Sequence, residues 1–412
     1  MKKEMIISLS AAVVFCVSPL SAGATVEITD NRDASATADF SQDDFETKDY
    51  LYVDDYNNVG FVTVKNNSDA NVTASITAKA YDSDDMLLGA HGSEIDVIGA
   101  GEESIAVISF YDIDTPVDHF DYEISYEKSR YYGVITDLEA QAAVNGENVT
   151  LTVTNSGNRA AQFLQGLVLF LDADNKVVGY DTDYLTDDES ELKPGAALSS
   201  QFDCYNPFDH VECYFIGRSD GSSPTTDQNN LNAEDFEVKE YVYNNGSEYV
   251  YYYLVITNNS DKIANVSGNA TAFGGNGNVI GAADCRIDVI GPGETSITAF
   301  YFSNTGTDFD HCDYQLTYKA ENYYKPVIND LSAQASVNES NVVLTVTNGG
   351  SEAASFVQAY VLFLDAENHV TDTDYTYVTD DDSEIKPGAT ISVQLDTYRP
   401  FDHVEVYFTG RR

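Results

Sequence analysis

Apolar and polar residues alternate with a period of two along much of this chain. In VTLTVT, Val149, Leu151 and Val153 are apolar while Thr150, Thr152 and Thr154 are polar. That is the pattern of a strand with one wet face. LVLFL, Leu167 to Leu171, is apolar throughout, as a strand covered by layers on both faces would be. It leads into VLFLDADNKVVG, Val168 to Gly179, an apolar run, an Asp-rich turn and a second apolar run. Related stretches stand at Ala78 to Gly89 (AKAYDSDDMLLG), Ala270 to Gly281 (ATAFGGNGNVIG) and Val361 to Asp372 (VLFLDAENHVTD). Each sits in a unit of about ninety residues, so the chain reads as one small module repeated.

Two levels of duplication are visible. NVTLTVTN at Asn148 returns as NVVLTVTN at Asn341, and the same 193-residue offset relates PFDHVE at Pro207 to PFDHVE at Pro400. DFETKDYLYV at Asp44 returns as DFEVKEYVYN at Asp235. The expected fold is all-β: four tandem immunoglobulin-like β-sandwich modules, arranged as a duplicated two-module unit. They span 43–128, 129–218, 235–321 and 322–412, with an acidic linker at 25–42 and a second linker at 219–234. The stretch from Ser219 to Ala233 (SDGSSPTTDQNNLNA) lacks periodicity and reads as a flexible joint between the halves. Ala100-Gly101, Pro194-Gly195, Pro292-Gly293 and Pro387-Gly388 predict a turn with Gly at positive φ in each module. The Asp and Asn of DADNK suit a tight hairpin.

A strand of TVTN type, an apolar strand closing on Tyr/Leu-Asp, a hairpin, a Pro-Gly turn and a Phe-Asp before the last strand together resemble the FxLYD domain, a small secreted β-sandwich of bacterial surface proteins. The residues that carry the resemblance are Ala80-Tyr81-Asp82, Phe170-Leu171-Asp172, Ala272-Phe273-Gly274 and Phe363-Leu364-Asp365, the third copy having Gly274 where the others have Asp. The resemblance implies a sandwich fold and a location outside the cell. It implies no catalytic residues.

Residues 1–24 have a charged start (Lys2, Lys3), an apolar run from Met5 through Val17 and a small-residue end at Ala22-Gly23-Ala24. This is the layout of a secretory signal peptide, and the mature chain is expected to be secreted, with no membrane insertion once the signal is removed. The formal net charge is −47. Acidity of that size repels phosphate backbones and excludes nucleic acid as a partner.

Four polar features are candidates for chemistry. The first is the acidic set Asp181, Asp187, Asp188 and Glu191, with Asp374, Asp380, Asp381 and Glu384 at the 193-residue offset. Calcium takes several oxygen ligands, so these loops are weak calcium candidates, although no EF-hand spacing is present. The second is Asp-His, at Asp118-His119, Asp209-His210, Asp310-His311 and Asp402-His403. A His beside a carboxylate suits general base chemistry, but no nucleophile recurs with it, and the expected role is a turn in which Asp accepts backbone N–H bonds. The third is the strand with Tyr249, Tyr251, Tyr252 and Tyr253, of which Tyr252 should face the core while Tyr251 and Tyr253 face out, available to a sugar or a protein.

The fourth is cysteine. Without Cys16 of the signal, four remain in an exported chain, which allows three connectivities. Cys204 and Cys213 align with Thr397 and Val406, and Cys285 and Cys312 with Ser93 and Phe120. Paired presence and absence predicts Cys204–Cys213 and Cys285–Cys312 bridges. The chain thus reads as a non-catalytic secreted or cell-surface repeat protein acting in interaction or as a spacer, with no bound cofactor. Its partner would be a protein or a neutral glycan at the cell surface. A carbohydrate-binding protein, a calcium-stiffened adhesin stalk and an accessory protein to an extracellular hydrolase are the other readings.

Overall fold

The computed structural model describes residues 40–113, 115–186, 190–221, 231–246, 249–380 and 383–412. The signal segment, nearly all of the linker 25–42, Asp187, Asp188, Asp381 and most of the 219–234 linker lie outside them. The fold is all-β, four sandwiches in two pairs. The first module holds β1 (Phe45–Val53), β2 (Asn58–Asn66), β3 (Val72–Tyr81), β4 (Leu87–Ile98), β5 (Glu103–Ser109) and β6 (His119–Lys128), in sheets ordered β1-β2-β5 and β4-β3-β6. The second has β7 (Leu138–Asn145), β8 (Asn148–Asn155), β9 (Ala161–Leu171), β10 (Val177–Tyr184), β11 (Glu191–Leu192), β12 (Ala197–Asp203) and β13 (His210–Arg218). Its sheets are β12-β8-β7 and a second sheet in which β9 pairs with β10, β11 and β13.

The second pair repeats this. The third module has β14 (Phe236–Asn244), β15 (Tyr249–Asn258), β16 (Ala264–Gly274), β17 (Val279–Ile290), β18 (Thr295–Ser303) and β19 (Phe309–Ala320), in sheets β14-β15-β18 and β17-β16-β19. The fourth has β20 (Leu331–Val337), β21 (Asn341–Asn348), β22 (Ala354–Leu364), β23 (Val370–Tyr377), β24 (Glu384–Ile385), β25 (Thr390–Asp396) and β26 (His403–Arg411). Here the sheets are β20-β21-β25 and one in which β22 pairs with β23, β24 and β26. Every pairing is antiparallel.

The repeated hairpin has a clear cause. Asp82, Asp172 and Asp365 each accept two backbone N–H bonds through Oδ1, from residues two and four further on. Asp85, Asn175 and Asn368 then take φ of 60°, 62° and 67°, the left-handed conformation that short polar side chains tolerate. In the third copy Gly274 has no carboxylate, and the left-handed position is Gly277, φ 78°. Gly101, Gly195, Gly293 and Gly388 all have φ between 74° and 79°, as the turn reading requires.

The Asn that ends each TVTN-like strand is a buried pin. Asn66, Asn155, Asn258 and Asn348 are at most 1% exposed. Each donates through Nδ2 to at least two carbonyls well apart in sequence, as Asn348 does to Glu352 and Ile385 at 2.8 and 2.7 Å. Its Oδ1 accepts a backbone N–H two residues on, Gly350 for Asn348 at 2.9 Å. One amide thereby satisfies three main-chain groups that would otherwise be orphaned where the strand ends.

Candidate functional site

The strands that are apolar on both faces serve two cores. In β9, Leu164, Val168 and Phe170 fill the second module, while Leu167, Leu169 and Leu171 face Tyr50, Val59, Phe61 and Ile105 of the first. In β22, Val357, Ala359, Val361 and Phe363 face inward, and Leu362 and Leu364 meet Tyr241, Tyr243, Tyr253, Val255 and Ile297 of the third module. The further layer predicted over LVLFL is therefore the sheet of the neighbouring module. A face-to-face apolar contact of this kind holds two sandwiches as a sandwich holds its own sheets.

Polar groups frame each contact in the same way. Lys48 Nζ lies 3.1 Å from Glu212 Oε1, Tyr214 donates to Glu212 Oε2 at 2.7 Å, and Tyr50 donates to the same oxygen. The second pair matches it: Lys239 Nζ is 3.1 Å from Glu405 Oε1, with Tyr407 donating to Oε2 at 2.5 Å and Tyr241 beside it. Burial pushes the Glu212 carboxyl up, but the two hydroxyls and the Lys48 ammonium outweigh it and hold the group below its ordinary value. Glu405 is held low by the same balance.

Two further contacts cross each junction. Glu102 is 2% exposed and accepts the N–H of Gly99 at 2.6 Å, in its own module, and of Ile135 at 2.7 Å, at the start of the next. Burial pushes its carboxyl above the ordinary range against the pull of these donors. Glu294 bonds Gly291 and Asn329 in the equivalent way, at 2.7 and 2.9 Å. Arg218 lies between the rings of Tyr131 and Phe163, 4.3 Å from each centroid, and pairs with Asp96 of the preceding module. Arg411 does the same between Tyr324 and Phe356, at 4.0 and 4.4 Å, with Asp288 at 2.7 Å. Phe163 and Phe356 both have φ of 51°, a strained conformation for a bulky residue. These clamps escaped the sequence reading, although GR at Gly217 and Gly410 and ID before Val97 and Val289 recur at the repeat offsets.

Among the described residues the acidic candidates do not converge. Asp181 is half-buried on β10 and accepts the N–H groups of Thr182 and Asp203 at 2.8 and 3.0 Å; Asp374 bonds Tyr375 and Asp396 alike, at 2.9 and 2.8 Å. Burial pushes the Asp181 carboxyl up against those two donors. These carboxylates tie an edge strand of one sheet to the other sheet. Glu191 pairs opposite Gln162 while Asp181 stands opposite Val168, so roughly 20 Å of strand separates them. Glu384 faces Ser355, and Asp380 bonds Ser383. Among the described residues no group of three or more His, Cys, Asp or Glu is placed to hold a metal ion.

Each histidine of the Asp-His pairs contacts its own aspartate, Nδ1 to Oδ2 at 2.8 to 3.2 Å. The aspartate carboxylate meets the ring rather than a backbone N–H. In the first, second and fourth modules the Asp main chain donates instead to the end of the hairpin strand, Asp209 to Leu171 O at 2.7 Å and Asp402 to Leu364 O at 2.7 Å. His119 and His311 stack on Tyr81 and Phe273. The pair starts the last strand of each module.

The expected disulfides are corrected by the register. Cys204, Cys213, Cys285 and Cys312 are free thiols. Cys285 stands opposite Gly268 and Cys312 opposite Ala272, on strands that flank β16 from either side. Two strand spacings and four residues separate them by roughly 15 Å, beyond any bridge. Cys204 lies over Gly179 of β10, and Cys213 is on β13, beyond β9.

Cys312 and Cys204 each match a packing neighbour instead of another cysteine. The small Cys312 adjoins the large Tyr252, and in the first module Phe120 fills the space over Gly60. Cys204 over Gly179 becomes Thr397, whose hydroxyl donates to Asp372 at 2.8 Å. Burial pushes Cys213 up to about 11 and Cys285 and Cys312 up to about 12, so these thiols are poor nucleophiles at neutral pH.

No family model and no curated protein matches this chain. Among solved structures it is similar to red sea bream transglutaminase, at 11% identity and a TM-score of 0.15 over 52% of this chain and 29% of that one. It is also similar to Escherichia coli alpha-2-macroglobulin activated by porcine elastase, at 10% identity and a TM-score of 0.11 over 90% of this chain and 44% of that one. The chain spans less than half the length of either. Likeness at this level leaves the fold resting on the strand pairings above.

The tyrosine strand is where the two halves differ. Tyr252 joins the core of the third module, as its parity predicted. The opposite face is not open solvent along its whole length: Tyr253 is 2% exposed and bonds Thr373 of the fourth module at 2.9 Å. In the first pair the same gap is filled from the other side, by Tyr180 against Phe61 and Tyr52. Tyr249 and Tyr251 are only partly covered. No helix among the described residues is long and apolar enough to cross a membrane.

Proposed function

We propose that this is a secreted or cell-surface protein that works without turnover, as a spacer that presents interaction surface through modules locked in pairs. The observation that supports this is the duplicated junction, in which an apolar sheet-to-sheet contact, a Lys-Tyr-Glu-Tyr cluster, a buried Glu and an Arg between two rings recur at both module pairs. A chain selected only for four independent binding modules has no need to fix each pair so heavily. The resemblance to secreted FxLYD domains agrees with this reading, and so does a charge of −47, which keeps a long exposed chain soluble.

Distance measurement between one spin label on the first module and one on the second tests it. A narrow distribution, unchanged by a calcium chelator, is expected. A broad distribution removes the spacer role, narrowing only with calcium favours the calcium-stiffened stalk, and sustained turnover in a hydrolase screen removes the non-catalytic reading.

A further inference from the structure

At the rim of the junction between the third and fourth modules lies a patch of aromatic rings that the first junction lacks. Tyr251 and Tyr301 are ladder partners with centroids 5.0 Å apart, and Tyr249 lies 5.4 and 6.0 Å from them. Across the junction Tyr360 and Tyr375 are stacked ladder partners at 5.5 Å, and Tyr375 is near enough to Tyr251 to act on its hydroxyl. Tyr301 and Tyr375 are 49% and 52% exposed.

The corresponding places in the first pair hold Asn57, Val59, Ser109, Leu167 and Thr182, in the same register. Val59 and Leu167 belong to that junction's apolar centre, as Tyr251 and Tyr360 pack against the centre of the second junction, while Ser109 and Thr182 stand outside it. Tyr301 and Tyr375 are therefore more than closing the junction requires, and exposing large rings at the edge of an apolar contact is a feature of interaction surfaces.

Charge decides what they fit. Elsewhere this chain lays its own cations on aromatic rings, Lys48 on Tyr50, Arg159 on Tyr132, Arg218 on Tyr131 and Arg411 on Tyr324. None of the cation-ring contacts among the described residues falls on the rim rings. Asp374 accepts the N–H of Tyr375 at 2.9 Å, and Asp372 and Arg399 both act on Tyr243, the ladder partner of Tyr251, in a chain of net charge −47. Open tyrosine faces in a strongly negative field attract a cation, and guanidinium stacks on a ring better than ammonium.

We propose that the tyrosine rim between the third and fourth modules docks an arginine-rich segment of a partner protein. This deepens the interaction reading above and names the chemistry of the partner. The test is binding of hexa-arginine, hexa-lysine and a neutral glucose hexasaccharide to the full chain at fixed salt. It compares the parent with the triple variant Tyr249→Asn, Tyr301→Ser, Tyr375→Thr, which borrows the residues of the first pair. A control variant, Tyr56→Ala with Tyr205→Ala, removes two rings that are 93% and 85% exposed elsewhere.

Hexa-arginine should bind more tightly than hexa-lysine. The triple variant should weaken it about tenfold while remaining folded at the temperature of the assay, and the control should not. If the triple variant does not fold, Tyr301→Ser alone should give a smaller loss of the same sign. Equal losses in triple and control variants, no loss in either, or a saccharide whose binding follows the rim where hexa-arginine does not, each overturn the proposal. A chain that fails these tests but keeps a narrow distance between labels loses only the docking site, and the spacer role stands.

Discussion

At position 348 an asparagine with no exposed surface holds three main-chain groups, and its removal shows what a small buried amide contributes. Asn348→Ala leaves two carbonyls and an N–H without their partner, and should lower the stability of the fourth module by about 2–4 kcal/mol, read as a shift in its denaturation midpoint. Asn348→Asp should also destabilise it, because a carboxylate has no hydrogen to offer the carbonyls of Glu352 and Ile385. Glu212 and Glu405 give a test in pH. Each is held below the ordinary carboxylate value in the folded chain, so its contribution is present above the unfolded value, near 4.5, and is lost as pH falls through the folded one. Glu102 is raised and works in the opposite sense. The double variant Glu212→Gln with Glu405→Gln should be less stable than the parent at pH 7, with the gap closing as pH falls through the lowered folded values; a gap that does not narrow in acid would remove this account. The cysteines mark what single positions concealed. Their joint absence from sister modules was legible, but for Cys312 and Cys204 it follows the residue packed beside them, Gly60 against Tyr252 and Gly179 against Asp372, and adjacency of that kind follows only from register.

The strands β9 and β22 carry the argument at the next scale. Their doubly apolar pattern made a further layer legible in the sequence, and the hairpins and Gly turns were legible because Asp, Asn and Gly are the residues that accept a left-handed backbone. The identity of that layer was not. A period of two says that Tyr251 and Tyr253 share the face opposite Tyr252, and nothing in it distinguishes water from another module. Leu169 and Leu362 stand at the centre of the two contacts, both with no exposed surface. Leu169→Ala should cost about 3 kcal/mol in the first pair and leave the second untouched, and Leu362→Ala the reverse. Calorimetry of each variant checks this, and a variant that lowers both pairs equally would mean that the halves are coupled more strongly than the structure implies.

The two halves do meet, but through a contact of another kind. The Asn269 amide bonds both main-chain groups of Ser199 on the edge strand β12, at 3.0 and 2.7 Å. Thr271 bonds the Ser199 hydroxyl at 2.6 Å and Gln201 bonds Ser303 at 3.0 Å. Amide and hydroxyl groups of this sort exchange readily for water and add little net stability, about 1 kcal/mol per bond. They also blunt an edge that would otherwise be open to another strand. The junctions within each half, by contrast, bury Phe61, Leu167, Leu169 and Leu171, or Leu362, Leu364 and Tyr253, almost completely. Cooperativity follows the larger apolar contact, so the chain should melt as two units of two modules, with neither four separate transitions nor one. Salt should raise both melting temperatures, since a chain at −47 repels itself and added ions screen that repulsion. Cleavage in the linker at 219–234 should separate the halves without changing either transition by more than the few bonds at Asn269 can supply. Four resolved transitions would show that the paired junctions do not carry load, and a half that unfolds once cut free would show that the Asn269 contact matters more than its chemistry allows.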